Sequence, residues 1–555
     1  MPAASYDSAV TILADLDRTR RLIFAADEVA AKEVLLALGQ QIEERDRDDL
    51  MLEVYAQLGE IYLVRTAYNG VEEALRRIEE CLAVYSAIPA GTNRDAAAQA
   101  SLSDAEVEHM VCRYWRRAHF LRTGLAAAYG DHEAADIALS GLIDDGFSAA
   151  HPDLTGEHAF LVTYARILCA TALCDDDLHV RSVALWDKVI DAIEQNSGAT
   201  DSSEFDDHLL VQGATAYGRF CIETGRLSEA EPWLRRAGAR AEARGWALAL
   251  ARTQLERSTA AWAAGDRAQA QSLVHQAYPA IAEGCRAHDV SRCWLYFGLI
   301  AISVGALDDA DERLGHAERH WREVDKPLHI HRILLQRSWV DILRNQFDSA
   351  AEKVAQAREL LDSWPRHSWL QYARLDDHLG SLLRAEALAD PAKAGDKLEK
   401  AAELKVPAAL AVDSVRHSIA DADARMRWAT YVSARILAGA FAVGYEWGNA
   451  ELLSQLIEYH SARGVFSTET TDAETDGWQG AATAAVPIEA DEEYALVAAG
   501  PGAPTGGRGL TRLGPLPPLQ MDPGTDPILT RYRALAHERY GRDVTSAEAT
   551  WSTWP

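Results

Sequence analysis

GRLSEA at 225–230, GDRAQA at 265–270 and GALDDA at 305–310 are one phrase written three times, each start 40 residues after the last. NQFDSA at 345–350 is a fourth copy with Asn345 in the glycine place. Asparagine is among the side chains that best tolerate the left-handed conformation of a helix-ending residue. The register continues downstream: Leu234, Val274, Leu314 and Val354 form one column, and Ala237, Ala277, Ala317 and Ala357 another. Positions four and seven beyond the alanine that ends the phrase share one face of a helix. Seven residues before each turn residue stand Gly218, Ser258, Gly298 and Ser338, all small. These columns predict αα-hairpins. A first helix ends at the Gly or Asn, and a second packs back with small residues where the two backbones cross.

The order small residue, Gly, Ala, Leu or Val, Ala resembles the tetratricopeptide repeat, with a period of 40 in place of the family's 34, similar to the longer-period form of bacterial signalling regulators. Gln57-Leu58-Gly59 with Tyr62, Ala74, Ile78 and Cys81 resembles a first repeat. Residues 112–146 and 158–194 read as further helix pairs, and Ala394, Leu398 and Ala401 continue the series after a four-residue insertion. The resemblance implies an all-α, right-handed α-solenoid over 50–403, clearest at 208–361, preceded by N-terminal helices at 1–49. It also implies a concave groove lined by the first helix of each hairpin. Counting from the turn residues places Arg219, Arg252, Trp262, Arg292, Tyr296, Arg332 and Trp339 towards that groove, with Arg252, Arg292 and Arg332 in one column. A basic, aromatic strip of this kind suits an acidic or extended peptide, because aromatics and arginine concentrate binding energy. The expectation is a non-enzymatic scaffold for a protein or peptide partner. The alternative is a small-molecule-sensing regulator subunit.

Composition agrees with helix: 48% hydrophobic and 25% charged, rich in Ala and Leu. The net charge of −29 repels phosphate backbones and anionic headgroups, so neither nucleic acid nor membrane is an expected partner. The longest uncharged apolar run, Cys293 to Leu307, is shorter than the roughly 20 residues of a membrane span and reads as a buried repeat helix. Seven scattered cysteines without a CxxC pair fit small buried side chains in a reducing compartment. The acidic residues near the N-terminus do not fit a signal peptide. A cytoplasmic location is expected.

Residues 404–466 keep helical period, with Ile436, Leu437, Ala440 and Phe441, then Leu452, Leu453, Leu456 and Ile457, as a capping unit should. Residues 467–526, rich in Gly, Pro, Thr and acid, read as a disordered linker. A short helix is expected within the final segment 527–555, over PILTRYRALAHERY from Pro527 to Tyr540, with Ile528, Tyr532, Leu535 and Ala536 on one face. LKVPAALAVDSVRHSIADADARMRWATYVSARILAGAF, LLSQLIEYH and LGPLPPLQM with RYRALAHERYG resemble actinobacterial proteins associated with CHAT caspase-like proteases. No cysteine follows Cys293, so no nucleophile carries over and the resemblance implies a helical companion of such a protease.

The remaining chemistry is sparse. His316 and His320 lie four apart, but Glu318 points about 200° away around a helix, so the metalloprotease arrangement is not met and no metal or cofactor is expected. Gly502 to Arg508 lacks the Lys and Ser/Thr of a phosphate loop. The acidic pairs Glu72-Glu73 and Asp144-Asp145 and the triplet Asp175-Asp176-Asp177 read as solvated faces or helix ends.

Overall fold

The computed structural model describes residues 3–45, 47–92, 102–144, 146, 150–196, 203–365, 367–417, 425, 428–462, 516–521 and 524–552. Among these are α1 (Ala3–Phe24), α2 (Glu28–Glu43), α3 (Asp48–Val64), α4 (Tyr68–Ser86), α5 (Asp104–Tyr129), α6 (His132–Ile143) and α7 (Thr155–Asp175). They are followed by α8 (His179–Asn196), α9 (Glu204–Glu223), α10 (Leu227–Arg244), α11 (Ala247–Ala264), α12 (Arg267–Gly284), α13 (Ala287–Ser303) and α14 (Leu307–Glu323). The last are α15 (Pro327–Leu343), α16 (Phe347–Ser363), α17 (Trp369–Ala389), α18 (Ala394–Ser414), α19 (Ala434–Trp447), α20 (Ala450–Ala462) and α21 (Thr530–Tyr540). The chain is an all-α solenoid of tetratricopeptide-like hairpins. Sheet is confined, among the described residues, to a two-residue parallel pairing of Leu519–Gln520 with Trp551–Ser552. No helix of the described residues is long and apolar enough to cross a membrane.

The hairpin turns follow the sequence columns. Gly225, Gly265 and Gly305 have φ of 77°, 90° and 76°, and Asn345 has 59°. In the second copy the residue after the glycine starts the next helix: the Asp266 carboxylate accepts from the Gln269 backbone N–H at 2.9 Å. Ala230, Ala270, Ala310 and Ala350 are fully buried, as are the four alanines from Ala237 to Ala357. The small column is where the helices cross, and its residues match their partners in size. A side chain added to Gly218 would begin 2.6 Å from the Leu234 side chain, and one on Gly298 2.7 Å from that of Leu314. Where the partner is the shorter Val274 or Val354, the column holds serine. Ser258 Oγ donates to the Ala270 carbonyl at 2.8 Å and Ser338 Oγ to that of Ala350 at 3.3 Å. Glycine pairs with leucine and serine with valine, so each crossing keeps its volume.

The chain forms two compact units, Met1–Ile222 with Leu227–Cys293, and Glu223–Arg226 with Trp294–Pro555. In the first, α3 and α5 meet by reciprocal insertion. A side chain on Gly59 would begin 2.6 Å from Leu121, and one on Gly124 2.5 Å from Leu63. The same unit is drawn together by residues far apart in sequence. Arg286, ahead of α13, pairs with Glu28 at the start of α2, and Arg65 reaches the same carboxylate at 3.6 Å.

In the second unit, α17 to α20 share a core with residues after 515: Leu398, Val406, Leu410, Leu452 and Leu456 pack with Leu516, Leu519, Ile528, Leu529, Tyr532, Ala536 and Tyr540. Of the helix expected at 527–540, α21 forms Thr530–Tyr540, and it starts three residues late because Leu529 is left-handed at φ 56°. The packed segment starts earlier than the expected linker boundary at 526, because Leu516 and Leu519 are themselves buried. Of that expected linker, 467–515 and 522–523 lie outside the described residues, and so does the Gly502–Arg508 stretch.

Five of the seven cysteines are buried, Cys81 is half-buried, and all are free thiols. Cys285 departs from the expectation of burial. It is exposed because it sits at a left-handed turn, φ 52°, where the neighbouring hairpins have Gly245 or Asp325. His316 packs at a tilt against Trp294 with ring centroids 5.2 Å apart, while His320 meets Trp321 at 4.8 Å, so the two imidazoles have separate partners. The run from Cys293 is buried as expected through Phe297, Ile300 and Ala301, but Val304 is 70% exposed where the helix gives way to its turn.

Candidate functional site

The first unit contains a cleft of about 800 Å³ bounded by α1, α5, α7, α8 and α9. Its aromatic wall comes from the ends of two helices. Phe24 is the last residue of α1, which stops there because Ala26 turns left-handed at φ 62° and Asp27 caps α2. Phe205 lies in the first turn of α9, fixed by a reciprocal Ser203–Asp206 cap with both bonds at 3.1 Å. Phe24 and Phe205 meet edge to face at 5.2 Å, Phe160 of α7 closes on Phe205 at 4.9 Å, and Phe24 stacks on His208 at 4.4 Å.

Beneath this wall lies a buried ionic network. Glu53 of α3 is at its centre, accepting from Arg20 at 2.5 Å, Arg117 at 3.2 Å, Gln57 at 2.7 Å and the Tyr114 hydroxyl at 3.0 Å. Arg117 and Arg113 both donate to Glu157, at 2.6 and 2.8 Å. Thr19 and the Leu16 carbonyl bind Gln57, tying α1 to α3. Burial by itself raises the Glu53 carboxyl, yet Arg117, Arg20 and Arg113 hold it well below the usual carboxylate range. Glu157 is likewise lowered, its burial outweighed by Arg117, Arg113 and Arg20. Glu60 goes the other way: burial raises it, Arg20 and Arg117 offset only part, and Glu53 and Glu157 add repulsion. His208, fully buried and facing Arg286 and Arg252, is pushed down to about 3. It is therefore a neutral ring at neutral pH.

The floor is thus rigid and internally paired, while the rim carries both signs. Arg21 is exposed on α1 and has no partner among the described residues, while Asp17, one turn earlier on the same helix, and Glu204 and Asp206 of α9 also line the cleft. An apolar side chain fits the phenylalanine wall, and a carboxylate fits Arg21.

The strip expected from the repeat register lies elsewhere. None of Arg219, Arg252, Trp262, Arg292, Tyr296, Arg332 and Trp339 lines this cleft, all seven are half-buried, and they fall in both units. Several of its arginines meet carboxylates of the chain itself. Arg219 binds Asp175 at 2.6 Å, Arg252 binds Asp289 at 3.1 Å and Gln212 at 3.1 Å, and Arg292 holds Glu256 in a fork, one arm at 2.7 Å. These pairs run between neighbouring repeats, so that much of the column's charge is neutralised within the fold. Trp262 carries the Arg267 guanidinium over its ring at 3.6 Å, and Trp339 meets His378 edge to face at 5.0 Å.

The repeat columns did not reveal the cleft, because its residues precede the best-registered copies. The signal was Glu53, Gln57 and Glu60 at helical spacing among the apolar residues 50–64 of α3, with Arg113, Arg116 and Arg117 clustered in α5. Charges on a buried stripe require partners.

No family model matches the chain, and no curated protein matches it. Several solved structures align with it at low identity. A Rap protein complexed with competence and sporulation factor is 10% identical, covering 81% of this chain and 97% of its own, with a TM-score of 0.42. BtubC (BKLC) from P. vanneervenii is 12% identical over 43% and 96%, TM-score 0.32. The APC/C hetero-tetramer Cut9–Hcn1 is 12% identical over 79% and 94%, TM-score 0.28.

Proposed function

We propose that the chain is a protein-interaction scaffold that holds a short peptide segment in the first-unit cleft. The supporting observation is the combination of three phenylalanines with an exposed arginine over a floor whose charges are already paired. The segment presents an apolar residue to Phe24, Phe160 and Phe205 and an acidic group to Arg21. A preformed, satisfied floor adds little reorganisation cost on binding. The resemblance of 404–541 to CHAT-associated proteins extends the proposal to control of a separately encoded effector of that kind. The volume of about 800 Å³ also suits a small molecule, which supports the second reading, a metabolite-sensing regulator subunit.

The test uses the full chain, an immobilised peptide library and an Arg21→Glu/Phe205→Ala variant. Peptides pairing an apolar residue with Asp or Glu are enriched by the wild type and bound at least tenfold more weakly by the variant. Equal enrichment by both removes the cleft. Trp262→Ala/Trp339→Ala losing those peptides instead moves the site to the strip of Arg219, Arg252, Trp262, Arg292, Tyr296, Arg332 and Trp339. A melting-temperature rise with metabolites in place of peptides selects the second reading.

A further inference from the structure

We propose that the acid-rimmed face of α17 and α18 is a docking site for a basic amphipathic helix, held in the resting molecule by the chain's own α21 and open to a partner helix of the same chemistry. This surface lies in the second unit and does not depend on the cleft.

The segment from 527 to 542, PILTRYRALAHERYGR, holds four arginines against one glutamate in a chain whose net charge is −29. Its contacts divide into an apolar seam and a charged rim. Ile528, Leu529, Tyr532, Ala536 and Tyr540 are each no more than 8% exposed and pack on Leu398, Ala402, Val406 and Leu410. Around the seam Arg531 pairs with Glu403 and, at 3.4 Å, with Glu399, and Arg539 donates to the Glu403 carbonyl at 2.5 Å. The Tyr540 hydroxyl donates to Asp376 at 2.8 Å, and Arg542 lies over the Trp369 ring at 4.7 Å. The receptor is acidic where the ligand is basic, which selects a partner by charge as well as by shape.

Two features make this contact releasable. α21 has 11 residues, too few for a stable helix alone in water, so it is helical because it is docked. It is joined to α20 only through the 53 residues 463–515 and the short stretch that follows. A helix of the same chemistry supplied in trans competes for the same apolar seam and acidic rim. The occupant in trans is therefore a basic amphipathic helix with aromatic residues on the apolar side and arginines at its edges, as in α21.

The probe is a fluorescent peptide of residues 516–546. The wild-type chain binds it weakly, because the tethered copy competes. An Arg531→Glu/Arg539→Glu variant of the full chain, whose own segment is weakened while the receptor is intact, binds it at least tenfold more tightly. A peptide carrying Arg531→Glu/Arg539→Glu binds that variant at least tenfold more weakly than the unaltered peptide, because its charges no longer complement Glu399 and Glu403. Failure of the Arg531→Glu/Arg539→Glu variant to bind the peptide while it remains folded overturns the proposal. Should that variant unfold, hydrogen exchange on the wild type decides. Amides of 530–540 exchanging at least tenfold faster than those of α17 and α18 support a releasable helix, whereas exchange at the same rate as those helices overturns it.

Discussion

Single side chains set both the geometry of the repeat and its response to pH. At the helix crossing, Gly298 leaves the space that Leu314 fills, while Ser338 opposite Val354 adds a hydroxyl bond to Ala350. Gly298→Ser is expected to destabilise the chain by about 1–3 kcal/mol through overpacking. Gly298→Ser/Leu314→Val recreates the serine–valine crossing, and should recover at least about 1 kcal/mol of that loss. Denaturant titration of the two single variants and the double checks it, and strict additivity would remove the size-matching account. His208 gives the pH signature. Its folded value of about 3 lies below the ordinary 6.5, so the unfolded chain takes up a proton that the folded chain refuses. Stability is then fully present above about 6.5 and falls with pH down to about 3, at up to ~1.4 kcal/mol per pH unit. His208→Gln should flatten the slope between pH 4 and 6.5, and an unchanged slope would assign it to other groups.

At the scale of helices, the contacts between α1, α3, α5 and α7 are organised by charge as well as by apolar burial. Arg117 is 1% exposed and serves Glu53, Glu60 and Glu157 together. Removing it leaves three carboxylates short of a partner in a low-dielectric site. Arg117→Ala is expected to cost about 3–5 kcal/mol, whereas breaking the exposed Arg76–Glu80 pair on α4 should cost well under about 1 kcal/mol. Thermal and denaturant unfolding of the two variants should separate them clearly. Comparable losses would mean that the network is solvated and contributes little to specificity.

Across the whole molecule, contacts between distant parts of the sequence matter most. Glu28 and Arg286 stand 258 residues apart and meet inside the first unit. Arg286→Ala should leave the buried Glu28 carboxylate with only the more distant Arg65 and increase protease sensitivity around the α2 and α12 ends, and Glu28→Gln/Arg286→Met should restore much of the resistance. Limited proteolysis followed by mass spectrometry reads this directly, and identical cleavage in all three proteins would show that the pair does not hold the unit closed. The second unit has its own long-range tie in α21, whose Tyr540 reaches Asp376 across 164 residues.

The 40-residue phrase determined the hairpins without help from tertiary structure. The positive φ of Gly225, Gly265, Gly305 and Asn345 and the buried Leu/Val and Ala columns are local demands of turn and helix face, and local demands are written in residue type and period. Whether an arginine in such a column is available was not written there. Arg252 and Arg292 find Asp289 and Glu256 roughly one repeat away, and that pairing depends on how successive hairpins stack. The cleft depended on the fold in the same way. It joins Phe24, Phe160 and Phe205 from three separate helices, and no spacing rule links residues brought together by the packing of those helices. The sequence by itself determined the repeat and its turns, because those follow from periodicity. Only the tertiary structure decided which charges are neutralised, where the cleft lies and where α21 docks, because these depend on distances between segments that the chain's own order leaves free.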